Sequence, residues 1–223
     1  MIIDMHVHTC EGSRCGKVPG KEMVALYKNA GYDAICITNH FSLYTVAWMA
    51  KQGKIDFVKN FENAYQIAKE EGDRIGLRVF RGYEFRCNRH DNDFLIYDFP
   101  KCILDNVMQV FNMPINDCLA AFRANGVKVF QAHPFRNNTT MIDPMLLDGI
   151  EVYNGSNGPG VINDMAKVWA DAHPHLLQIS GSDAHAEAQV GKCGIETDED
   201  IRTQEDLIRL LESGNFKTIK RYE

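Results

Sequence analysis

Five short apolar runs in this chain stop on a histidine or an acid. "IIDMHVH" ends on His6 and His8, "DAICITNH" on His40, and "RVFRGYEF" carries Glu84 near its end. "VKVFQAH" reaches His133, and "LLQISGSDAH" reaches Asp183 and His185. These runs are β-branched and aromatic, and read as strands; "DFLIYDF" (93–99), "GIEVYN" (149–154) and a closing "FKTI" add to them. Between them lie helical patterns: "KEMVALYKNAG", "DFVKNFENAYQIAKEEG" (56–72), "NDCLAAFRANG", "NDMAKVWADA" and "TQEDLIRLLESG", the last with Thr203 as N-cap and Glu205 in its first turn. Alternation over the whole length, with no repeat or linker, predicts one α/β domain spanning 1–223 with a mainly parallel sheet.

An open doubly wound sheet and a closed barrel both fit that alternation. An open sheet would spread the strand ends over about 5 Å per strand, giving a ridge. A barrel of parallel strands points all its C-terminal ends at one mouth, where such folds keep their active sites. So many ligand-type residues at strand ends therefore predict a closed or nearly closed barrel.

Residues two apart on a strand share a face, so His6 and His8 project side by side, and Asp183 with His185 repeats the spacing. Taken singly, each has an ordinary reading as a cap, core or loop residue; together they predict a metal site. The donors are nitrogen and oxygen without a cysteine quartet, which favours Zn, Mn or Fe. More than four candidates imply more than one ion, with a carboxylate such as Glu84 able to bridge. Ions about 3.5–4 Å apart suit phosphoester hydrolysis.

Composition excludes other classes. The net charge of −6 and the missing aromatic-basic stripe argue against a long nucleic acid as partner, but not against a small phosphorylated substrate. Seven cysteines without a CxxC pair, no leader pattern and no apolar run near the ~18 residues of a membrane span predict reduced thiols, a cytoplasmic setting and no membrane partner. Cys10 and Cys15 flank the first histidines and are read as structural or incidental, with local ligation as the alternative.

The ordered set "DMHVHT", "ITNH", "GYEF", "QAHPFR" and "GSDAH", spanning residues 4 to 185, resembles the PHP (polymerase and histidinol phosphatase) family. The resemblance implies a distorted seven-stranded (β/α) TIM-like barrel with two or three divalent ions at the C-terminal ends of the strands, and phosphoester hydrolysis as the default reaction. Carried over, His6, His8, Glu84 and Asp183 would hold one ion, His40 and His185 a second, and Glu84 with His133 a third. The family usually completes the third site with a histidine at the start of the following strand. Here Asp93 takes that position, with His90 as its rival.

Two departures stand out. Asn39 replaces the usual acid of the second motif and removes a charge near the cluster. Ser13 and Arg14 stand where an acid or histidine commonly follows the first motif, leaving the second ion to be completed by water or Cys15, or a dinuclear site. Arg136 suits bidentate phosphate binding, Arg14 could do the same from the first loop, and Asn154 could position substrate. The expected reaction is hydrolysis of a small phosphomonoester, with Glu84, Arg136, Asp183 and His185 as catalytic residues and Asp183 or His185 assisting the leaving alcohol. A phosphodiesterase or exonuclease acting on short nucleotides and a catalytically silent metal-binding module are the rivals.

Overall fold

The computed structural model describes residues 1–158 and 160–221. In chain order the elements are β1 (Ile2–Val7), α1 (Gly20–Asn29), β2 (Ala34–Ile37), β3 (His40–Phe41), α2 (Leu43–Ala50), α3 (Phe57–Ile75), β4 (Arg78–Arg81), β5 (Tyr83–Phe85) and β6 (Phe94–Ile96). Then follow α4 (Lys101–Asp105), α5 (Val107–Phe111), α6 (Ile115–Ala124), β7 (Phe130–Gln131), β8 (Gly149–Asn154), α7 (Val161–Asp171), β9 (Leu177–Gly181), β10 (Cys193–Glu196), α8 (Gln204–Ser213) and β11 (Lys217–Lys220). No helix among the described residues is long and apolar enough to cross a membrane.

The strands form two ladders, β11-β10-β1-β2-β4 and β3-β5-β6-β7-β8-β9. The two ladders hand over to each other along the chain. After β2 the chain steps through Thr38 and Asn39 into β3, and after β4 through Gly82 into β5. The Gly82 N–H reaches the Ile37 carbonyl at 2.9 Å and the Glu84 N–H the Asn39 carbonyl at 3.1 Å, so adjacent strands stay in register across the break. On the other side, Val7 bridges Ala184 in parallel, and the His8 N–H donates to the Ala184 carbonyl at 3.0 Å.

The sheet is mainly parallel, as expected, by five strand pairs to four among the described residues. β1-β2-β4, β3-β5 and β7-β8-β9 are parallel, but β6 runs antiparallel to both neighbours, as do the β1-β10 and β10-β11 pairs. The beginning of β6 therefore lies at the end of the molecule where its parallel neighbours finish, which is how Asp93 comes to face the strand-terminal histidines. Other boundaries also shift. The strand expected at 127–132 shrinks to Phe130–Gln131, and α2, α4, α5 and β10 add elements where none was expected. Helix α3 does not stop at Gly72. That residue is packed inside the helix against Leu77 and Val79, and Gly76 ends it in the left-handed conformation (φ 75°).

One core layer is aromatic, with Phe41, Phe57, Phe61, Tyr83, Phe85, Phe111 and Phe122 packed between β3, β5 and the helices α2 to α6. A second fills the space between the ladders with Ile3, Met5, Phe80, Leu95, Tyr97, Phe130 and Ile179, closed below by Leu207, Leu210 and Leu211 of α8. Burying several large side chains at about 1.5–3 kcal/mol each makes these layers the rigid base for what projects above them.

Candidate metal centre

His6 and His8 come off the end of β1 on one face, both fully buried, and their Nε2 atoms lie 3.0 Å apart. Each ring is fixed from behind. His6 Nδ1 donates to Glu151 Oε1 at 3.0 Å, since a carboxylate can only accept. His8 Nδ1 stands 3.0 Å from Ser13 Oγ, whose own proton is given to Asn39 Oδ1 at 2.9 Å. His8 Nδ1 is therefore the donor there too. Both Nε2 atoms face the same small space, so a cation must lie between their lone pairs: a proton on His6 in the metal-free protein, or a metal ion in its place.

Carboxylates complete the surround. Glu84, on β5, sets Oε1 at 2.8 Å from His133 Nε2 and 3.4 Å from His6 Nε2. Its Oε2 lies 3.4 Å from His8 Nε2 and is paired with His40 Nδ1. Asp183 Oδ1 lies 3.4 Å from His6 Nε2, 3.3 Å from His8 Nε2 and 3.4 Å from His185 Nδ1. Three groupings of ligand atoms result: His6–His8–Asp183, His8–His40–His185, and Glu84–Asp93–His133, each with its atoms within 4.8 Å of one another. Buried carboxylates and imidazoles converging in three such groupings are a donor set that fits divalent cations. The residues fit the ions that the sequence motifs imply.

The cluster is electrostatically polarised. Burial alone would lower His6, but the carboxylates of Asp183, Glu151 and Glu84 outweigh it and hold that imidazole well above the usual histidine range. Burial, then His185 and His40, push His8 well below it. Burial opposes ionisation of Glu84 and Asp183, yet the histidines around each, His40 and His6 for Glu84 and His6 and His8 for Asp183, keep both well below the ordinary carboxylate range.

The backbone is organised around this cluster. Asp4 Oδ1 accepts from the His6 N–H at 3.1 Å and the Ser182 N–H at 2.9 Å, and its Oδ2 takes the Tyr27 hydroxyl at 2.8 Å. Burial pushes Asp4 up to about 6, and those donors offset part of the cost. Gly181 lets β9 lie against β1, because a Cβ there would sit 2.3 Å from His6 Cβ. His133 (φ 27°) and Asp183 (φ 51°) both sit in the left-handed region, at about 1–3 kcal/mol each. Strain at two candidate ligands, tolerated by the packing around them, is the signature of positions held for function.

Asp93 is brought beside Glu84 and His133, with Oδ2 3.7 Å from His133 Nε2, but its carboxylate is also gripped from both oxygens by Arg86, including Nε to Oδ1 at 2.6 Å. Burial, then Glu84, raise its pKa. His90 faces its own loop, its Nδ1 accepting from the Asn92 N–H at 3.2 Å, and joins none of the three groupings among the described residues. Arg136 Nη2 donates to Asp183 Oδ2 at 2.9 Å and Asn154 Oδ1 at 3.0 Å, and its Nε to Asn157 Oδ1 at 3.0 Å. Asn154 does not reach the cleft. It is fully buried behind Arg136, with Nδ2 on Glu151 Oε2 (2.9 Å) and Asp183 Oδ2 (3.2 Å). Asn39 does not leave a gap at the cluster either, since its side chain ties down Thr9 and Ser13.

Above the cluster lies a cleft of about 220 Å³ lined by His40, Glu84, Arg86, Asp93, Arg136 and His185 among others. A second cleft of about 230 Å³ shares His40, Glu84, Arg86 and Asp93, and adds Arg14, Ser42, Tyr44 and Thr45. Sequence reasoning missed Glu151, Ser13 and Arg86. Glu151 had a readable signal, an acid inside the apolar run "GIEVYN".

Residues 162–216 match the model of the PHP-associated family. None of the curated proteins matches the chain. Among solved structures, the fold is shared with a two-domain protein from Bacteroides vulgatus containing a predicted PHP-like metal-dependent phosphoesterase, at TM-score 0.70 and 18% identity. The match covers 99% of this chain and 65% of that one, so this chain spans about two thirds of it. PsfC from Pseudomonas syringae follows at TM-score 0.65 and 21% identity, covering 100% and 91% of the two chains. An amidohydrolase from Chromobacterium violaceum, with bound sulfate and no metal, gives 0.54 and 17%, covering 98% and 97%. Residues 162–216 are thus similar to the PHP-associated family, and the chain as a whole shares its fold with a protein containing a predicted PHP-like phosphoesterase.

Proposed function

We propose that this protein is a metal-dependent hydrolase of small phosphoesters, acting on a phosphomonoester. The observation that carries the reading is the pair of buried Nε2 atoms 3.0 Å apart, each made an acceptor by its own Nδ1 partner, with Asp183 and Glu84 beside them. His6, His8, Glu84 and Asp183 would hold one ion, His40 and His185 a second, and Glu84, His133 and Asp93 a third. The nine segments β1 to β9 would make the seven staves of a distorted barrel if β2 with β3 and β4 with β5 each count as one, and the Val7–Ala184 bridge supports its closure. Divalent ions bound there, Zn, Mn or Fe by donor type, supply Lewis acidity toward a phosphoryl oxygen and make water acidic.

The chain's own groups do the rest. Arg136 is half exposed and turns its remaining guanidinium edge to the cleft, placing positive charge where a phosphoryl group's oxygens would lie. Arg86 and Arg14 line the adjoining wall and widen the field for an anion. His185 lines the cleft and takes its orientation from the Asp183 carbonyl, 2.9 Å from its Nδ1. A cleft of this size suits a small substrate, and the sulfate described in the Chromobacterium amidohydrolase is an oxyanion of phosphate's shape.

A phosphodiester is favoured as second reading by the second cleft, which gives a larger leaving group room beside Tyr44 and Thr45. Turnover of a chromogenic phosphomonoester and the matching diester separates the two. Glu84→Gln is expected to abolish turnover and release metal. Full activity with full metal content in that variant refutes the reading.

A further inference from the structure

The loop after β1 brings a thiol to the histidine pair that the nitrogen and oxygen ligands serve least well. Cys15 Sγ lies 3.1 Å from His40 Nε2, and the same thiol meets the His185 side chain. Both imidazoles are fixed on their far sides. His40 Nδ1 faces the Glu84 carboxylate, and His185 Nδ1 faces the Asp183 carbonyl at 2.9 Å. A carboxylate and a carbonyl only accept, so each Nδ1 carries the proton and each Nε2 offers a lone pair. Two imidazole Nε2 atoms thus bear on one sulfur, and a metal ion at their meeting point would take the place of the protons they share.

The acid side points the same way. Glu84 is 1% exposed, and its Oε2 is paired with His40 Nδ1 and lies 3.4 Å from His8 Nε2, so a buried carboxylate closes this side of the histidine group. His8, His40 and His185 form a grouping of their own with ligand atoms within 4.8 Å. The neighbouring Ser13, which stands where an acid or histidine was expected, is spent on orienting His8 and cannot serve as ligand. Of the other cysteines, Cys36, Cys87, Cys118 and Cys193 are buried in the core, and Cys102 contacts Asn125 on another face.

We infer that Cys15 is a metal ligand, its thiolate completing the His40–His185 site as a mixed sulfur–nitrogen centre. The inference rests on the metal-centre reading above and deepens it. Coordination forms one metal–sulfur bond and releases the thiol proton to solvent. A thiolate donor turns this one position toward softer ions, zinc, ferrous iron or cobalt, and away from manganese and magnesium, while the nitrogen and oxygen sites keep their broader preference. It also makes this ion the one lost when an exposed thiol is alkylated or oxidised.

Cobalt(II) is the probe, because a thiolate ligand gives it a near-ultraviolet charge-transfer band that nitrogen and oxygen ligands do not. Metal-stripped protein is titrated with cobalt, and bound cobalt is counted alongside the spectrum. The wild type is expected to develop the band, and Cys15→Ser to lose it while still binding cobalt at the remaining sites; Cys10→Ser keeps it. Cys15→Asp is expected to restore the bound equivalents without the band. Cobalt bound to wild type with no band, or a band that survives in Cys15→Ser, overturns the ligand and leaves the metal centre standing. No cobalt bound to the wild type overturns both.

Discussion

Glu151→Gln isolates the ring-orienting carboxylate from everything else it supports. Glu151 Oε2 accepts from the His133 N–H at 2.8 Å and from Asn154 Nδ2 at 2.9 Å, while Oε1 accepts from His6 Nδ1 at 3.0 Å. A glutamine must turn one end into a donor. The Oε2 place faces two donors that cannot reverse: a backbone N–H, and an Asn154 amide whose oxygen is already committed to Arg136, Ser156 and Asn157. The amide oxygen therefore goes there, and the new NH2 points at His6 Nδ1. That forces the proton of a neutral His6 onto Nε2 and takes its lone pair away from the site. Losing an outer partner of a ligating histidine costs about 10–100-fold in metal affinity, or about 1.4–2.8 kcal/mol at 1.4 kcal/mol per tenfold. All three contacts survive in shape, so the metal-free fold should lose only about 1 kcal/mol, the difference between charge-assisted and neutral bonds. The assay is a competitive chelator titration starting from metal-stripped protein, with nitrogen NMR of the zinc-loaded protein, where His6 is neutral, as a second readout of which ring nitrogen carries the proton. Wild-type metal affinity in the variant, with His6 still protonated on Nδ1, refutes the reasoning.

Two further expectations follow from the same geometry. Arg136→Ala removes the guanidinium from the cleft while Asp183 keeps Asn154 as a donor, so kcat/KM on a phosphomonoester should fall roughly ten- to a hundred-fold, the worth of a charged hydrogen bond. Metal content measured on the purified variant should match wild type; loss of metal instead would make Arg136 a prop for Asp183 and not an anion contact. Gly181→Ala places a methyl 2.3 Å from His6 Cβ and 2.7 Å from His6 N. That overpacking should cost about 1–3 kcal/mol in urea unfolding and weaken metal binding, and a variant equal to wild type in both would show that β9 and β1 can part freely.

What the sequence made legible was the set of strand-terminal donors, and the reason is physical. A strand has a period of two and a direction set by the chain, so His6 with His8 could be placed on a shared face before any coordinates; Asp183 and His185 lie past the end of β9, with Asp183 left-handed, and come together without that periodicity. The resemblance to a known family then ordered His40, Glu84 and His133 among them. What it could not carry was information that lies across the chain. Period two reads the same from either end, so nothing in "DFLIYDF" showed that β6 runs antiparallel and brings Asp93 to the site by its N-terminal end. Nor does a local pattern reveal that Asp93 spends both oxygens on Arg86, seven residues earlier in a segment with no periodicity.

The partners behind the ligands are where local reading and structure diverge most, and they are what separates a metal site from a group of buried histidines. Asn39 looks like a lost charge in the sequence, yet its amide oxygen is the acceptor that consumes the Ser13 proton and so fixes the His8 tautomer. Ser13 looks like a missing ligand and is instead the relay. The substitution of a serine at that position moves the demand for a ligand two residues on, to Cys15, whose sulfur already lies against His40. Two apparent departures from the family pattern are thus one coupled arrangement: a neutral amide and a hydroxyl orient the imidazole, and the donor atom is supplied by the thiol next to them.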